Sequence, residues 1–178
     1  GAIQNWQRDL TLKMMQQAGG NFIRWGHCAG SPFEASLGDK YGFVTMMPGV
    51  DGERDCTGKA WSTRSNAFRD LIIRYRNHPS IMVWEGGNYH VSTAHSAELK
   101  AHINKWDPHG KRGFGFRMAN GNNGKHVTVE LSTQGERPFF EDLGCVESEY
   151  LREESPRRVW DNQSPPDFDY KGGGEKGN

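Results

Sequence analysis

Residues 80–84, Ser-Ile-Met-Val-Trp, show no polar–apolar alternation. Such a segment reads as a strand buried on both faces, and a strand of that kind belongs in a parallel sheet covered by helices. The flanks agree. Phe68, Leu71, Ile72 and Tyr75 recur at i, i+3, i+4 and i+7, an apolar helical stripe that Pro79 stops. Residues 93–106 form a second helical pattern with Leu99, Ile103 and Trp106 inward, ended by Asp107-Pro108. Helix, strand, helix is the repeating theme of the chain.

The same alternation runs back to the start. Ile3, Trp6, Leu10, Met14 and Ala18 mark one helical face, followed by Gly19-Gly20 as a C-terminal cap. Residues 21–25 then read as a short strand. Ser31-Pro32 is a helix start, with Ser as N-cap and Pro at the first helical position. Phe33, Leu37 and Tyr41 line that helix, Gly42 ends it, and residues 43–47 form the next strand. A loop rich in Gly, Asp and Thr follows from 48 to 63, long for a βα connection. Ser65 is the expected cap of the third helix. Beyond 106, weaker strands are expected at 113–118, 127–131 and 145–150, with a short helix over 138–143.

About six parallel strands with intervening helices predict an α/β fold. A full (β/α)8 TIM barrel needs eight strands and about 250 residues. The expectation is therefore an incomplete TIM barrel over residues 1–164, followed by a Gly-rich loop or linker at 165–178, with an open α/β sheet as the alternative.

Composition narrows the partners. Lys and Arg together number 22, as do Asp and Glu, so the net charge is zero. Nothing in that balance asks for nucleic acid or an anionic membrane. No apolar run approaches the roughly 20 residues needed to span a bilayer. No signal peptide is expected at the start, where residues 1–20 read as an amphipathic helix. The compartment is left open. Cys28, Cys56 and Cys145 are an odd set without a Cys-x-x-Cys pair and read as free thiols. Cys28 beside His27 has no second ligand pair at zinc spacing, so neither metal nor cofactor is expected.

Five short motifs occur in an order that carries a family resemblance. They are Asn21-Phe-Ile-Arg-Trp-Gly-His27, Asp39-Lys-Tyr-Gly42, Asn77-His-Pro-Ser80 with Trp84 and Gly87-Asn88, Trp106-Asp-Pro-His-Gly-Lys-Arg112, and Glu147-Ser-Glu-Tyr150. Together they resemble glycoside hydrolase family 2, the β-galactosidase and β-glucuronidase group. The resemblance implies a barrel, a carbohydrate substrate and further domains in a longer chain. It implies Glu149 as the nucleophile of a retaining mechanism. It also implies that Asn88 binds the sugar hydroxyl beside the reacting carbon, and that Arg24, His27 and Trp84 support or shape the sugar pocket. Tyr150 would hydrogen-bond Glu149.

One position departs from the pattern. Where the family places its acidic Glu after the Asn, this chain has Tyr89. A phenol titrates near 10 against about 4.3 for Glu and is poorly matched to proton shuttling near neutrality. Three possibilities stay open. Glu85, four residues back, or His90 supplies the acid; the protein binds sugar without cleaving it; or the substrate needs no Glu here. The bland readings stand beside these. Glu149 lies in a charged stretch, and Glu147 would share its face on a regular strand. Arg24 could be a structural ion pair, and His78-Pro79 reads as a turn into the strand.

A competing signal comes from Lys111-Arg-Gly-Phe-Gly-Phe116, which matches the first positions of an RNA-recognition signature. The match breaks at Arg117 and Ala119, and no basic face accompanies it. The expected reading is a buried strand with glycines at tight packing points.

Overall fold

A computed structural model of the chain describes residues 3–49, 54–133 and 138–149. Four helices alternate with strands: α1 (Asn5–Gln17), β1 (Phe22–Arg24), α2 (Pro32–Tyr41), β2 (Val44–Pro48), α3 (Gly58–Tyr75), β3 (Ile81–Glu85) and α4 (Thr93–Trp106). Three strands complete the described elements: β4 (Gly113–Gly115), β5 (Glu130–Thr133) and β6 (Cys145–Glu149). β1 to β4 form one parallel sheet in sequence order, and β5 pairs with β6 in a second parallel sheet. A bridge between Arg117 and Leu131 joins the two. This is the expected α/β alternation; barrel closure is not seen among the described residues.

The main core lies between sheet and helices. Trp61, Phe68, Leu71, Ile72 and Tyr75 of α3 and Leu99 and Ile103 of α4 pack on Met47, Ile81, Trp84, Phe114 and Phe116. The opposite side of the strands holds a smaller cluster of Met46, Val83, Val129 and Leu131, with Phe22 and Val146 beside it. Phe114 and Phe116 are fully buried. They are core residues with no face open to a base. Gly115 fits because a Cβ there would lie 2.5 Å from the Val129 carbonyl oxygen.

Two strands carry one residue more than their partners. On β3 the register runs from Thr45–Ile81 directly to Met46–Val83, so Met82 is skipped. Ile81 therefore packs toward the helices and Val83 toward the inner cluster, although regular alternation would put them on one face. On β6 the register runs from Ser132–Glu147 to Thr133–Glu149, skipping Ser148. The Ser148 hydroxyl donates to the Ser132 carbonyl at 2.7 Å, compensating the interrupted ladder.

The helix starts are mostly local chemistry. Ser31 accepts from Glu34 N at 3.3 Å, and Glu34 Oε2 accepts from Ser31 N at 2.7 Å, a reciprocal capping box. Gly42 closes α2 at φ 72°. Asp39, from the same helix, accepts from Ser80 N at 3.0 Å and contacts His78 Nδ1 at 2.6 Å. The 77–80 turn is thus pinned to α2, which explains two of the motif residues structurally.

Three expectations change. α3 begins at Gly58, not near Ser65; Ser65 is buried inside the helix, where its hydroxyl donates to Glu98 and meets His102 Nε2 at 3.0 Å. Ile3, before α1, and Trp6, Leu10 and Met14 on it are exposed, and the buried residue of the helix is Leu12, which packs with Leu37 and Phe43. Residues 138–143 are irregular with bends, not a helix, and Glu130 accepts from the amides of Phe139 and Phe140 at 2.6 and 2.9 Å. No helix of the described residues is long and apolar enough to cross a membrane, and the three cysteines are free. The tail from 150 onward, including Tyr150, lies outside the described residues.

Candidate active site

Parallel strands aim successive C-terminal ends at one rim, and side chains on the inner face of those ends can converge. Here they do. Arg24 is the last residue of β1 and Glu85 the last of β3; Asn88 follows β3, Arg117 follows β4, and Glu149 is the last residue of β6. Arg24 Nε donates to Glu85 Oε2 at 2.9 Å, and Nη2 donates to Glu85 Oε1. Arg24 Nη1 donates to Glu149 Oε1 at 3.0 Å, and Nη2 also donates to Asn88 Oδ1 at 2.9 Å. Arg117 Nη1 donates to the same two acceptors, at 2.9 Å for Glu149 Oε1 and 3.1 Å for Asn88 Oδ1.

The two carboxylates differ in access. The Glu85 side chain is 0% exposed and that of Glu149 is 22% exposed. Burial pushes the Glu85 carboxyl up from its ordinary value, against the pull of Arg24 and lesser pulls from His27 and Arg117. The two-pronged contact, in which both Glu85 oxygens accept, is that of an ionised carboxylate on a guanidinium fork. Burial also works against the Arg24 charge, but the hydrogen bond and charge of Glu85, reinforced by Glu149, hold it above its ordinary value.

His27 is half-buried, and its Nδ1 has no partner among the described residues. Tyr89 stands at the surface, edge-on to His90 with ring centroids 5.8 Å apart. Trp84 is a correction. It was expected in the sugar pocket, but it is fully buried on the helix side, donates to Asp107 Oδ2 at 2.9 Å and packs under Arg112. The reason is alternation: Trp84 precedes Glu85 and must face the other way. Glu147 is exposed while Glu149 enters the cluster, so the skip at Ser148 separates two residues that a regular strand would align.

Arg117 was not expected. Its signal in the sequence is an Arg two residues past β4, directly after the buried run Phe114-Gly-Phe116, at the place where the match to the RNA signature breaks. Among the described residues no group of three His, Cys, Asp or Glu side chains could hold a metal ion.

Comparison with known proteins places this geometry. No family model matches the chain. A β-glucuronidase of Formosa agariphila is 54% identical over 171 residues, which are 95% of this chain and 17% of that protein. A β-galactosidase of Bacteroides ovatus is 31% identical over 83 residues, 43% of this chain and 10% of that protein. A solved β-glucuronidase from glycoside hydrolase family 2 superposes with a TM-score of 0.84 at 54% identity, covering 92% of this chain and 17% of that one. The chain thus spans about a sixth or less of the length of these curated relatives. The motifs, the convergence of the strand ends and these matches make the chain a β-glucuronidase/β-galactosidase-like domain of glycoside hydrolase family 2.

Proposed function

We propose that this domain forms part of the catalytic centre of a retaining glycoside hydrolase acting on a β-linked sugar, within a barrel that further chain completes. The observation that carries the reading is the partly exposed Glu149, held by Arg24 and Arg117 beside Asn88. In this reading Glu149 attacks the anomeric carbon and forms a glycosyl ester that water later hydrolyses. Asn88 contacts the hydroxyl next to the reacting carbon, and Arg24 and Arg117 fix both groups in one geometry. Glu85 anchors Arg24. Its buried oxygens, both engaged by the guanidinium, leave it no path to a leaving group.

The acid position is altered, with Tyr89 at the rim where a Glu would stand. Tyr89 donates a hydrogen bond to the departing oxygen, which suffices for good leaving groups. His27 borders the sugar from the β1 side. The defining test is Glu149→Gln in the full-length protein. Hydrolysis of an aryl β-glycoside should fall by about a thousand-fold or more, since a nucleophile acts as a unit with the rest of the site. Unchanged turnover would refute the assignment.

A second reading is favoured by Tyr89 itself: a barrel that binds carbohydrate without cleaving it. It requires saturable sugar binding with no turnover of any aryl glycoside.

A further inference from the structure

The turn that carries Asn88 is held from behind by an arginine with no place in the chemistry above. Arg64 lies in the middle of α3 and is 6% exposed. Its Nη2 donates to the Gly86 carbonyl at 3.2 Å, and its Nη1 donates to the Arg54 carbonyl at 3.2 Å. Its guanidinium carbon lies 5.9 Å from the Trp61 ring centroid.

Three successive carbonyls at the end of β3 explain why it is there. The Glu85 carbonyl accepts from Gly49 N at 2.8 Å, and the Gly87 carbonyl accepts from Arg117 N at 3.3 Å. The one between them, Gly86, receives a side chain. A buried carbonyl left without a donor costs roughly 1–3 kcal/mol, so this contact decides where the turn sits. The fit is close on the other side as well, because a Cβ at Gly87 would collide with Arg64 Nη2. Gly86 is equally confined, with Leu99 Cδ1 and Phe114 Cε2 each 3.0 Å from a would-be Cβ.

We propose that Arg64 is a positioning residue for Asn88: its guanidinium fills the space that Gly87 leaves open and fixes the Gly86–Asn88 turn, setting the amide of Asn88 against the reacting sugar. The same guanidinium ties in the segment after β2 through the Arg54 carbonyl. That segment is anchored to the far end of the β3–α4 loop, because Asp55 accepts from Ser92 N at 3.0 Å and contacts His95 Nδ1 at 2.8 Å. The loop bearing Asn88 and Tyr89 is thus fastened at both ends.

This inference rests on the hydrolase reading only for its kinetic half. In the full-length protein, Arg64→Met should lower kcat/KM for an aryl β-glycoside by about ten- to a hundred-fold, the scale of a misplaced catalytic contact. Arg64→Lys, which keeps the charge and one donor, should restore part of it. In an Asn88→Ala background Arg64→Met should add less than about three-fold, because coupled residues are not additive. Backbone hydrogen exchange should speed up at residues 86–90 in Arg64→Met and stay unchanged at 81–84. Full additivity with Asn88→Ala, or unchanged exchange at 86–90, overturns the proposal. If the unmodified protein turns over no glycoside, the hydrolase reading fails on its own, and the exchange measurement still decides the role of Arg64.

Discussion

Arg24 reaches across β2 to grip both carboxylate oxygens of Glu85, two strands away in the same sheet. The pair is buried, with side-chain exposures of 6% and 0%. Removing one partner of such a pair leaves a stranded charge, whereas replacing both with apolar groups can be close to neutral.

Arg24→Met should therefore destabilise the protein by about 3–5 kcal/mol. Adding Glu85→Met should recover most of that loss, while activity stays low because Glu149 and Asn88 have lost a shared donor. Chemical denaturation of the two variants reads the first effect and aryl glycoside turnover the second. Equal stability of the single and double variants would show that the pair is not coupled.

Tyr89→Phe tests the donor role proposed for Tyr89. Loss of a proton-donating group is felt most with poor leaving groups. Hydrolysis of an alkyl β-glycoside should drop by roughly a hundred-fold, the low end of general acid contributions, and that of a nitrophenyl glycoside should change little. Equal effects on both substrates would argue against any donor role for Tyr89.

Trp84→Phe should leave KM for glycosides unchanged and cost about 1 kcal/mol of stability, the worth of the hydrogen bond to Asp107. A rise in KM without a loss of stability would return Trp84 to the sugar pocket.

Asp39 gives a pH dependence with a defined sign. Burial works against its charge, but hydrogen bonds from Ser80 and His78 outweigh it and hold the carboxyl below its ordinary value of 3.8. A depressed carboxylate contributes stability above its unfolded value and loses that contribution as pH falls through the folded one. The thermal midpoint should therefore decline below about pH 4. Asp39→Asn should lower stability at neutral pH by on the order of 1 kcal/mol and flatten the acid limb. A variant whose acid limb matches the unmodified protein would remove Asp39 as its source.

Much of the architecture was legible because it is set by local chemistry. The 93–106 helix and the Ser31 N-cap are written in neighbouring residues, and the strand expected at 80–84 and found at 81–85 is marked by its lack of alternation, although Met82 at the skipped position is exposed. What was not legible depended on distant partners. Ser65 looked like a cap because its partners, Glu98 and His102, lie on another helix more than thirty positions away. The stripe on α1 had the right period, but packing chose the Leu12 face. Of the side chains that converge at the strand ends, Arg24, Asn88 and Glu149 are marked by motifs, whereas Arg117 and Arg64 become visible only when the strand ends and their carbonyls are brought together.

The skipped residues at Met82 and Ser148 have a consequence for how such a site can change. Each sits shortly before a carboxylate, Glu85 on one strand and Glu149 on the other. A strand has a parity, and one extra residue inverts it for everything downstream unless a bulge absorbs it. The skip at Met82 leaves Ile81 and Val83 opposite consecutive residues of β2, so Glu85 still reaches the inner face and Trp84 the helices. The skip at Ser148 does the same for Glu149, which stays turned toward both guanidiniums while Glu147 faces away. If either segment were flattened into a regular ladder with its full count of residues, its carboxylate would swing to the wrong face with no side chain of the cluster changed. The bulges, as much as the identities of the acids, hold the two carboxylates together.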